Sequence, residues 1–142
     1  MRFFAGLGLT AMLKGDYESA RRAFERNLEV ETKAFGPEHP RVLWTVTRMG
    51  GLHLNLAEFD ASEAAYRRAL AASEKALGPD NIETVGNVRG LGMVALRRGR
   101  LDEANTWLER ALAIRVARLG HAHPDTRETA RLRAELRVAA AR

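Results

Sequence analysis

The sequence predicts an all-α solenoid of stacked helix pairs, and three observations support this fold class. Aromatic and apolar residues recur every 42 positions without a gap, as in the column Tyr17, Phe59 and Leu101. An apolar residue followed by glycine closes each period, at Phe35-Gly36, Leu77-Gly78 and Leu119-Gly120. Within each period the apolar residues have helical spacing. A fixed period of this size indicates helical units that bury their apolar faces only by stacking on neighbours.

Composition limits the class of protein. The 142 residues are 46% apolar, which is enough for the continuous core of a single domain. The absence of cysteine excludes disulfides and thiolate metal sites. The net charge of +5 comes mainly from arginine, which suits acidic partners or solvated helix faces. Because no apolar run approaches the roughly 20 residues of a membrane helix, we expect a cytoplasmic protein that makes no membrane contact.

The amino terminus begins like a short signal peptide, with Met1-Arg2 before an apolar stretch. The repeat favours a different interpretation, because this stretch has the same apolar or small positions as the two later periods. These positions are Phe4, Leu7, Gly8 and Ala11, then Val46, Met49, Gly50 and His53, then Val88, Leu91, Gly92 and Ala95. They form one helical face, so we expect the chain to start with a structural helix.

Each period divides into a first helix, a short turn and a second helix. The second helices are predicted over residues 17–35, 59–77 and 101–119. The turns before them are Lys14-Gly15-Asp16, Leu56-Ala57-Glu58 and Arg98-Gly99-Arg100. Glycine tolerates the positive φ of such a turn, which makes Ala57 the exception.

Glycine also recurs in the middle of the first helices, at Gly8, Gly50 and Gly92. Glycine inside a helix costs about 1 kcal/mol relative to alanine, so a compensating role is expected. We predict close packing of these glycines against the second helices, with Ala20, Ser62 and Ala104 on the opposing surface.

Between periods, glycine ends one helix and a polar residue caps the next, with Pro40 or Pro124 in the first turn. A single domain over residues 1–142 is therefore expected to hold three repeats, over about 1–36, 40–78 and 82–120. The charged segment over about 124–141 is predicted to form a solubilising capping helix.

Two motifs carry a resemblance to a known family. The segment Lys14-Gly15-Asp16-Tyr17-Glu18-Ser19-Ala20 precedes Phe24 and Leu28, and Gly36-Pro37-Glu38-His39-Pro40 and His123-Pro124-Asp125-Thr126 lie between periods. On these residues the chain resembles the tetratricopeptide repeat family, in the 42-residue form found in kinesin light chains and many bacterial multi-repeat proteins. The resemblance implies a right-handed superhelix of antiparallel helix pairs, whose first helices line a concave groove that binds peptides.

The same resemblance indicates a candidate ligand groove. Where many long-form repeats carry an Asn-Asn pair, this chain has Ala5-Gly6, Thr47-Arg48 and Arg89-Gly90, so that amide clamp is absent. The family's geometry implies a groove formed by Trp44, Arg48, Asn55, Arg89, Met93, Arg97 and Arg131. Arginine pairs with carboxylates and an indole offers a cation-π surface, which predicts acidic or carboxylate-bearing ligands with an apolar anchor. Alternatively, these arginines are solvated or paired with Glu128 and Glu135.

Other constellations favour structural roles. His121 and His123 lack a fixed third ligand for zinc, so helix capping is favoured over a metal site. His53 lies in an apolar column, which predicts a core histidine with a local hydrogen bond. Gly86, Gly90 and Gly92 lack the strand and lysine of a phosphate loop, and the serines lack a base. No catalytic residue, cofactor or metal is therefore expected.

A non-catalytic protein- or peptide-binding scaffold is the leading functional hypothesis. One alternative is a structural segment, or the sensing arm of a larger switch ATPase or kinase-linked protein, that stacks end to end. An exposed amino-terminal end at Phe3 and Leu7 would then favour homo-oligomers. Weak nucleic acid binding is the third hypothesis and rests on net charge alone, without aromatic platforms.

Overall fold

The computed structural model describes residues 15–141. Over that range the chain forms six α-helices and one 3-10 helix, without a strand. The helices are α1 (Tyr17–Phe35), α2 (Pro40–Asn55), α3 (Phe59–Leu77), the 3-10 helix (Ile82–Thr84), α4 (Val85–Arg97), α5 (Leu101–Leu119) and α6 (Pro124–Ala140). The all-α fold class is confirmed. The chain divides between Ala72 and Ser73 into two compact units, which are described in turn.

The predicted second helices are confirmed as α1, α3 and α5, with the expected bounds. Helix α1 begins after Asp16, whose Oδ1 accepts a hydrogen bond from the backbone N–H of Ser19 at 3.1 Å. The N–H of Gly36 makes the final helical bond to the carbonyl of Thr32, and its φ of 90° turns the chain out of the helix. This φ value suits glycine because glycine has no Cβ to clash with the backbone.

Polar caps begin the helices that follow each inter-repeat segment. The Nδ1 atoms of His39 and His123 accept from backbone N–H groups at 3.2 Å and 3.1 Å, and Asn81 Oδ1 accepts from Glu83 at 2.8 Å. Pro40 and Pro124 occupy the first turns of α2 and α6. Proline has no backbone N–H, and an N–H in the first turn would have no acceptor within the helix, so no hydrogen bond is lost. The predicted capping role is confirmed for His123.

The first helix of the third repeat starts differently from α2 and α6. Its first turn is the 3-10 helix Ile82–Thr84, which precedes α4. The backbone N–H and the hydroxyl of Thr84 both donate to the carbonyl of Asn81, at 3.0 Å and 2.6 Å. A side chain that takes this carbonyl competes with the regular helical pattern, which accounts for the tighter turn.

The core of the first unit consists of two clusters. Ala20, Phe24 and Leu52 form one of them, with partly buried side chains around them. The other contains the buried residues Val42, Val46 and Ala69. Helices α1 and α2 therefore bury the apolar faces that the repeat columns predict.

Close approach between α2 and α3 occurs at Gly50. A Cβ on Gly50 would be 3.0 Å from Cε1 and Cζ of Tyr66, so only glycine fits without a shift. The hydroxyl of the buried Ser62 donates to the carbonyl of Gly50 at 2.7 Å. The predicted packing is thus confirmed at Gly50, although the ring of Tyr66, rather than Ser62, sets the spacing.

The core of the second unit contains the buried residues Ala95, Ala104, Leu108 and Leu136. Gly92 faces Leu108 as Gly50 faces Tyr66, with 3.2 Å between a Cβ on Gly92 and Cδ2 of Leu108. Helix α6 joins this core through Leu136. Its other positions are mostly exposed and many are charged.

The turns before the second helices have positive φ throughout. Gly15 and Gly99 have φ values of 79° and 76°, and Ala57 has a φ of 59°. Ala57 is the sole non-glycine residue with positive φ between residues 15 and 141. The predicted first helix, including Gly8 and the apolar end at Phe3 and Leu7, lies outside the described residues.

Candidate binding surface

The predicted groove residues of the first unit lie along one face of α2. Trp44, Arg48 and Asn55 are separated by four and seven residues, which places them on the same side of a helix. The opposite side is held in the core by Val42 and Val46. The core contacts of α2 therefore turn this face outward.

Trp44 and Arg48 form a cation-π pair on that face. The guanidinium carbon of Arg48 lies 5.5 Å from the centroid of the Trp44 ring, and Trp44 is 43% exposed. The Nε of Arg48 is buried and has no hydrogen-bond partner in the described part of the chain. The pair thus combines a positive charge with an exposed aromatic surface, which is an arrangement suited to a carboxylate next to an apolar group. Asn55 is exposed at the last residue of α2.

The groove residues of the second unit lie mainly on α4. Arg89, Met93 and Arg97 are four residues apart and form a row along the helix. Met93 is half-buried and Arg97 is exposed. On α6, Arg131 is exposed as well.

Arg89 is paired within the unit, because its guanidinium donates to Oε1 of Glu128 on α6. The two side chains are 33% and 47% exposed, so the ion pair is partly solvated. The pairing with Glu128 was one of the two alternatives that the sequence left open. The structure therefore brings Trp44 to Arg48 in the first unit and Arg89 to Glu128 in the second.

A buried polar cluster was missed by the sequence analysis. Asn27 and Thr45 are fully buried, and Glu31 is 5% exposed. The amide of Asn27 donates to Glu31 and, at 2.8 Å, to the hydroxyl of Thr45, which donates to Glu31 at 2.8 Å. The three residues join α1 to α2. The signal in the sequence was the placement of Asn27 and Glu31 four residues apart on the buried side of α1.

A second cluster that was missed surrounds Glu58 in the turn before α3. Arg21 donates through one nitrogen to both carboxylate oxygens, at 2.9 Å and 3.1 Å, and Nδ1 of His53 lies 2.9 Å from Oε1. The hydrogen bond with His53, followed by that with Arg21, holds the pKa of Glu58 below its ordinary value. The local hydrogen bond predicted for His53 is confirmed.

Arginines also reach the segments between repeats, and they do so with the period of the sequence. A guanidinium nitrogen of Arg68 donates to the carbonyl of Pro37 at 3.1 Å, and Arg110 does the same to Pro79 at 3.0 Å. Arg110 also donates to Glu74 at 2.8 Å. Arg68 and Arg110 thus tie second helices to the segments between repeats.

Neither a metal site nor a membrane span is found in the part of the chain that the structure describes. From Gly15 to Ala141, no three side chains among histidine, aspartate and glutamate are grouped so that they could hold a metal ion. Over the same stretch, no helix has the combination of length and apolar character that crossing a membrane requires.

These features define a class of protein: a solenoid of helix pairs whose glycine-ended helices and polar caps repeat at a fixed period. The model of the family described as tetratricopeptide repeat matches the sequence three times, over residues 3–75, 43–114 and 84–142. The chain belongs to the tetratricopeptide repeat family. Comparison with curated proteins gives no match.

Solved structures share the fold at low sequence identity. A putative kinesin light chain from Podosopora anserina, described as having nearly identical TPR-like repeats, superposes with a TM-score of 0.86 and 18% identity, over 95% of this chain and 64% of that one. BtubC (BKLC) from P. vanneervenii gives a TM-score of 0.87 and 22% identity, over 97% of this chain and 55% of that one. This chain therefore spans less than two thirds of the length of either protein.

Membership of this family defines the general class of function. Tetratricopeptide repeats generally mediate protein–protein interactions as scaffolds, and the fold is typically non-catalytic.

Proposed function

We propose that this chain is a cytoplasmic, non-catalytic scaffold that binds acidic or carboxylate-bearing peptides through its first helices. The observation that carries the proposal is the contact on α2 between the guanidinium of the partly buried Arg48 and the exposed ring of Trp44. The proposal covers the remaining groove residues, Asn55, Arg89, Met93, Arg97 and Arg131, as contributors on the outward sides of their own helices.

The chemistry of the α2 pair favours a ligand with two adjacent features. A guanidinium binds carboxylates through two parallel N–H groups, and such charge-assisted bonds are stronger than neutral ones. The indole of Trp44 offers an apolar surface beside the charge. Large aromatic residues and arginine commonly carry most of the binding energy of an interface. An aspartate or glutamate next to an aromatic or aliphatic residue would engage both side chains at once.

The pair on α4 and α6 supports the same ligand chemistry. Arg89 already binds a carboxylate, that of Glu128, in a partly exposed position. A ligand carboxylate would compete with Glu128 for this guanidinium. Neutralising Glu128 should therefore strengthen binding of an acidic ligand at α4, whereas removal of Arg89 should weaken it.

A library of acidic peptides, screened by fluorescence anisotropy, tests the proposal. For the best peptide we expect Arg48→Ala and Trp44→Ala each to lower affinity about tenfold or more, which corresponds to at least about 1.4 kcal/mol. Arg22→Ala removes an exposed arginine from α1 and is the matched control, expected to have little effect. Unchanged affinity in both α2 variants would rule out this face as the binding site.

A further inference from the structure

Helices α2 and α4 differ from the other described helices in charge. Neither of them contains an aspartate or a glutamate. Helices α1, α3, α5 and α6 each combine acidic with basic residues along their length. The positive charge of α2 is thus not balanced by carboxylates on the same helix, which favours an anionic ligand along it.

Arg41 lies in the same row of α2 as Arg48. The two residues are seven positions apart, which is close to two helical turns, so their Cα atoms lie on one side of the helix about 10 Å apart. Trp44 lies between them, three residues after Arg41 and four residues before Arg48. Arg41 therefore extends the surface formed by Trp44 and Arg48 towards the start of α2.

The side chain of Arg41 is held against an aromatic ring, as that of Arg48 is. Its guanidinium carbon lies 5.3 Å from the centroid of the Phe35 ring, and Phe35 is 39% exposed. The ring of Phe35 is itself stacked on His39, with 4.5 Å between the two centroids. Such a contact restricts the position of a guanidinium without neutralising its charge. Helix α2 thus presents two supported positive charges in one row.

Both of these guanidinium groups have N–H donors available for a ligand. In the part of the chain that the structure describes, no carboxylate pairs with Arg41 or Arg48. Arg21 and Arg110, by comparison, each donate to a glutamate, at 2.9 Å and 2.8 Å. Because a guanidinium can donate two parallel hydrogen bonds to a carboxylate, each of the two arginines on α2 can bind one acidic side chain.

The arrangement at the start of α2 does not recur one period later. Phe35 and Arg41 correspond there to Leu77 and Glu83, which offer neither an aromatic ring nor a positive charge. The combination is therefore specific to the first unit rather than general to the repeat.

We propose that Arg41 is a second carboxylate-binding residue of the α2 surface, and that this surface selects peptides with two acidic residues three positions apart. This inference rests on the proposed function. A polyproline II helix has three residues per turn and a rise of 3.1 Å, so residues three positions apart lie on one side at about 9 Å. That separation matches the roughly 10 Å between Arg41 and Arg48, whereas in a β-strand residues three apart point to opposite faces. The ligand is thus a peptide in the polyproline II conformation, with an apolar residue beside the acidic residue that Arg48 binds.

Fluorescein-labelled peptides of one composition test the spacing. Each has two glutamates in a proline-rich background, placed two, three or four positions apart, and anisotropy measures their binding to the full chain. We expect the tightest binding at three positions, and about a tenfold loss when either glutamate of that peptide is replaced by glutamine. Tighter binding at two or four positions, or equal affinity at all three spacings, would overturn the proposal.

Variants of the protein assign each glutamate to its arginine. Arg41→Ala should lower the affinity for the peptide with two glutamates about tenfold, and it should have no effect on one of the two peptides with a single glutamate. Phe35→Leu introduces the residue found at Leu77 and removes the ring beneath the guanidinium, so it should lower affinity about two- to fivefold, and only while Arg41 is present. Val30→Ala is the matched control, since it changes another exposed apolar residue of α1 and should have no effect.

The outcomes separate this inference from the proposed function. If Arg48→Ala and Trp44→Ala weaken binding but Arg41→Ala does not, the second site is wrong and the proposed function stands. If Arg41→Ala weakens binding of every peptide equally, Arg41 acts through the fold rather than through a carboxylate, which also overturns the inference. If none of the three substitutions changes the affinity, or if no peptide binds, both proposals fail.

Discussion

The ring of Tyr66 lies against the backbone of Gly50, so closely that a Cβ on Gly50 would be 3.0 Å from two ring carbons. One period later, Gly92 stands in the same relation to Leu108, at 3.2 Å. The repeated glycine is therefore the site at which a first helix approaches its second helix. The compensation for placing glycine within a helix is this packing, together with the hydrogen bond from Ser62 to the carbonyl of Gly50.

Substitution of Gly50 by alanine is expected to destabilise the protein. The added methyl group must displace the buried ring of Tyr66, and overpacking a core typically costs about 1–3 kcal/mol, which exceeds the gain in helix propensity. Urea denaturation followed by circular dichroism measures the change. Gly86→Ala is the matched control, because a Cβ there meets no atom within 4 Å. We expect it to stabilise the protein by about 0.5–1 kcal/mol, and equal effects of the two substitutions would contradict the packing account.

Ala57 occupies a turn in which the corresponding residues, Gly15 and Gly99, are glycine, and its φ of 59° is unfavourable for alanine. Ala57→Gly should therefore raise the free energy of unfolding by about 0.5–1 kcal/mol, because relief of the left-handed strain outweighs the greater entropy of the unfolded chain. The reverse substitution, Gly99→Ala, should lower it by about 1 kcal/mol. A Cβ on Gly99 meets nothing within 4 Å, so this variant isolates the backbone conformation. Thermal denaturation of the two variants should shift the midpoint in opposite directions.

Acid should weaken the first unit through Glu58. Its folded-state pKa is lowered, first by the hydrogen bond with His53 and then by Arg21. A carboxyl group of this kind contributes stability that is fully present above the unfolded-state pKa, near 4.5, and that is lost as pH falls through the lower folded-state pKa. Asp16 has a lowered pKa for a different reason, its bonds to Ser19, and should contribute a separate loss.

The variant Glu58→Gln separates these contributions. It should be less stable than the parent protein at pH 7 and should lose less stability between pH 5 and pH 3, while Glu135→Gln, an exposed control on α6, should follow the parent. Urea midpoints measured across this pH range give the comparison. Parallel curves for Glu58→Gln and the parent protein would show that the Glu58 cluster does not respond to acid.

Prediction from the sequence succeeded where the period repeats. The bounds of α1, α3 and α5, the close approach at Gly50 and the cap at His123 all follow from residues that recur at the same position. Ion pairs could not be assigned in this way, because an arginine such as Arg89 has the same sequence pattern whether it binds Glu128 or a ligand. The choice depends on which side chains meet across helices, and a helical period does not specify that.

The cluster of Asn27, Glu31 and Thr45 could not be predicted for a related reason. The spacing of Asn27 and Glu31 places both on the buried side of α1, but it does not show that they meet Thr45 of α2, and the core closes over all three residues. Two periods after Glu31 and Thr45, the residues are Arg115 and Thr129, and the guanidinium of Arg115 donates to the hydroxyl of Thr129. The repeat thus preserves a contact between a charged residue and a threonine, although the charged residue changes from glutamate to arginine. Periodicity therefore predicts where the contact lies but not which groups form it.

Removal of the Thr45 hydroxyl tests whether this buried cluster stabilises the first unit. Thr45→Val keeps the branched shape but removes the acceptor for Asn27 and the donor for Glu31, each bonded at 2.8 Å. Because buried polar groups then lack a partner, we expect a loss of about 1–3 kcal/mol in the free energy of unfolding. Thr106→Val, on the exposed side of α5, should change it by less than about 0.5 kcal/mol. A loss for Thr45→Val no larger than that for Thr106→Val would mean that water or rearrangement satisfies Asn27 and Glu31, and that the cluster contributes little to holding α1 against α2.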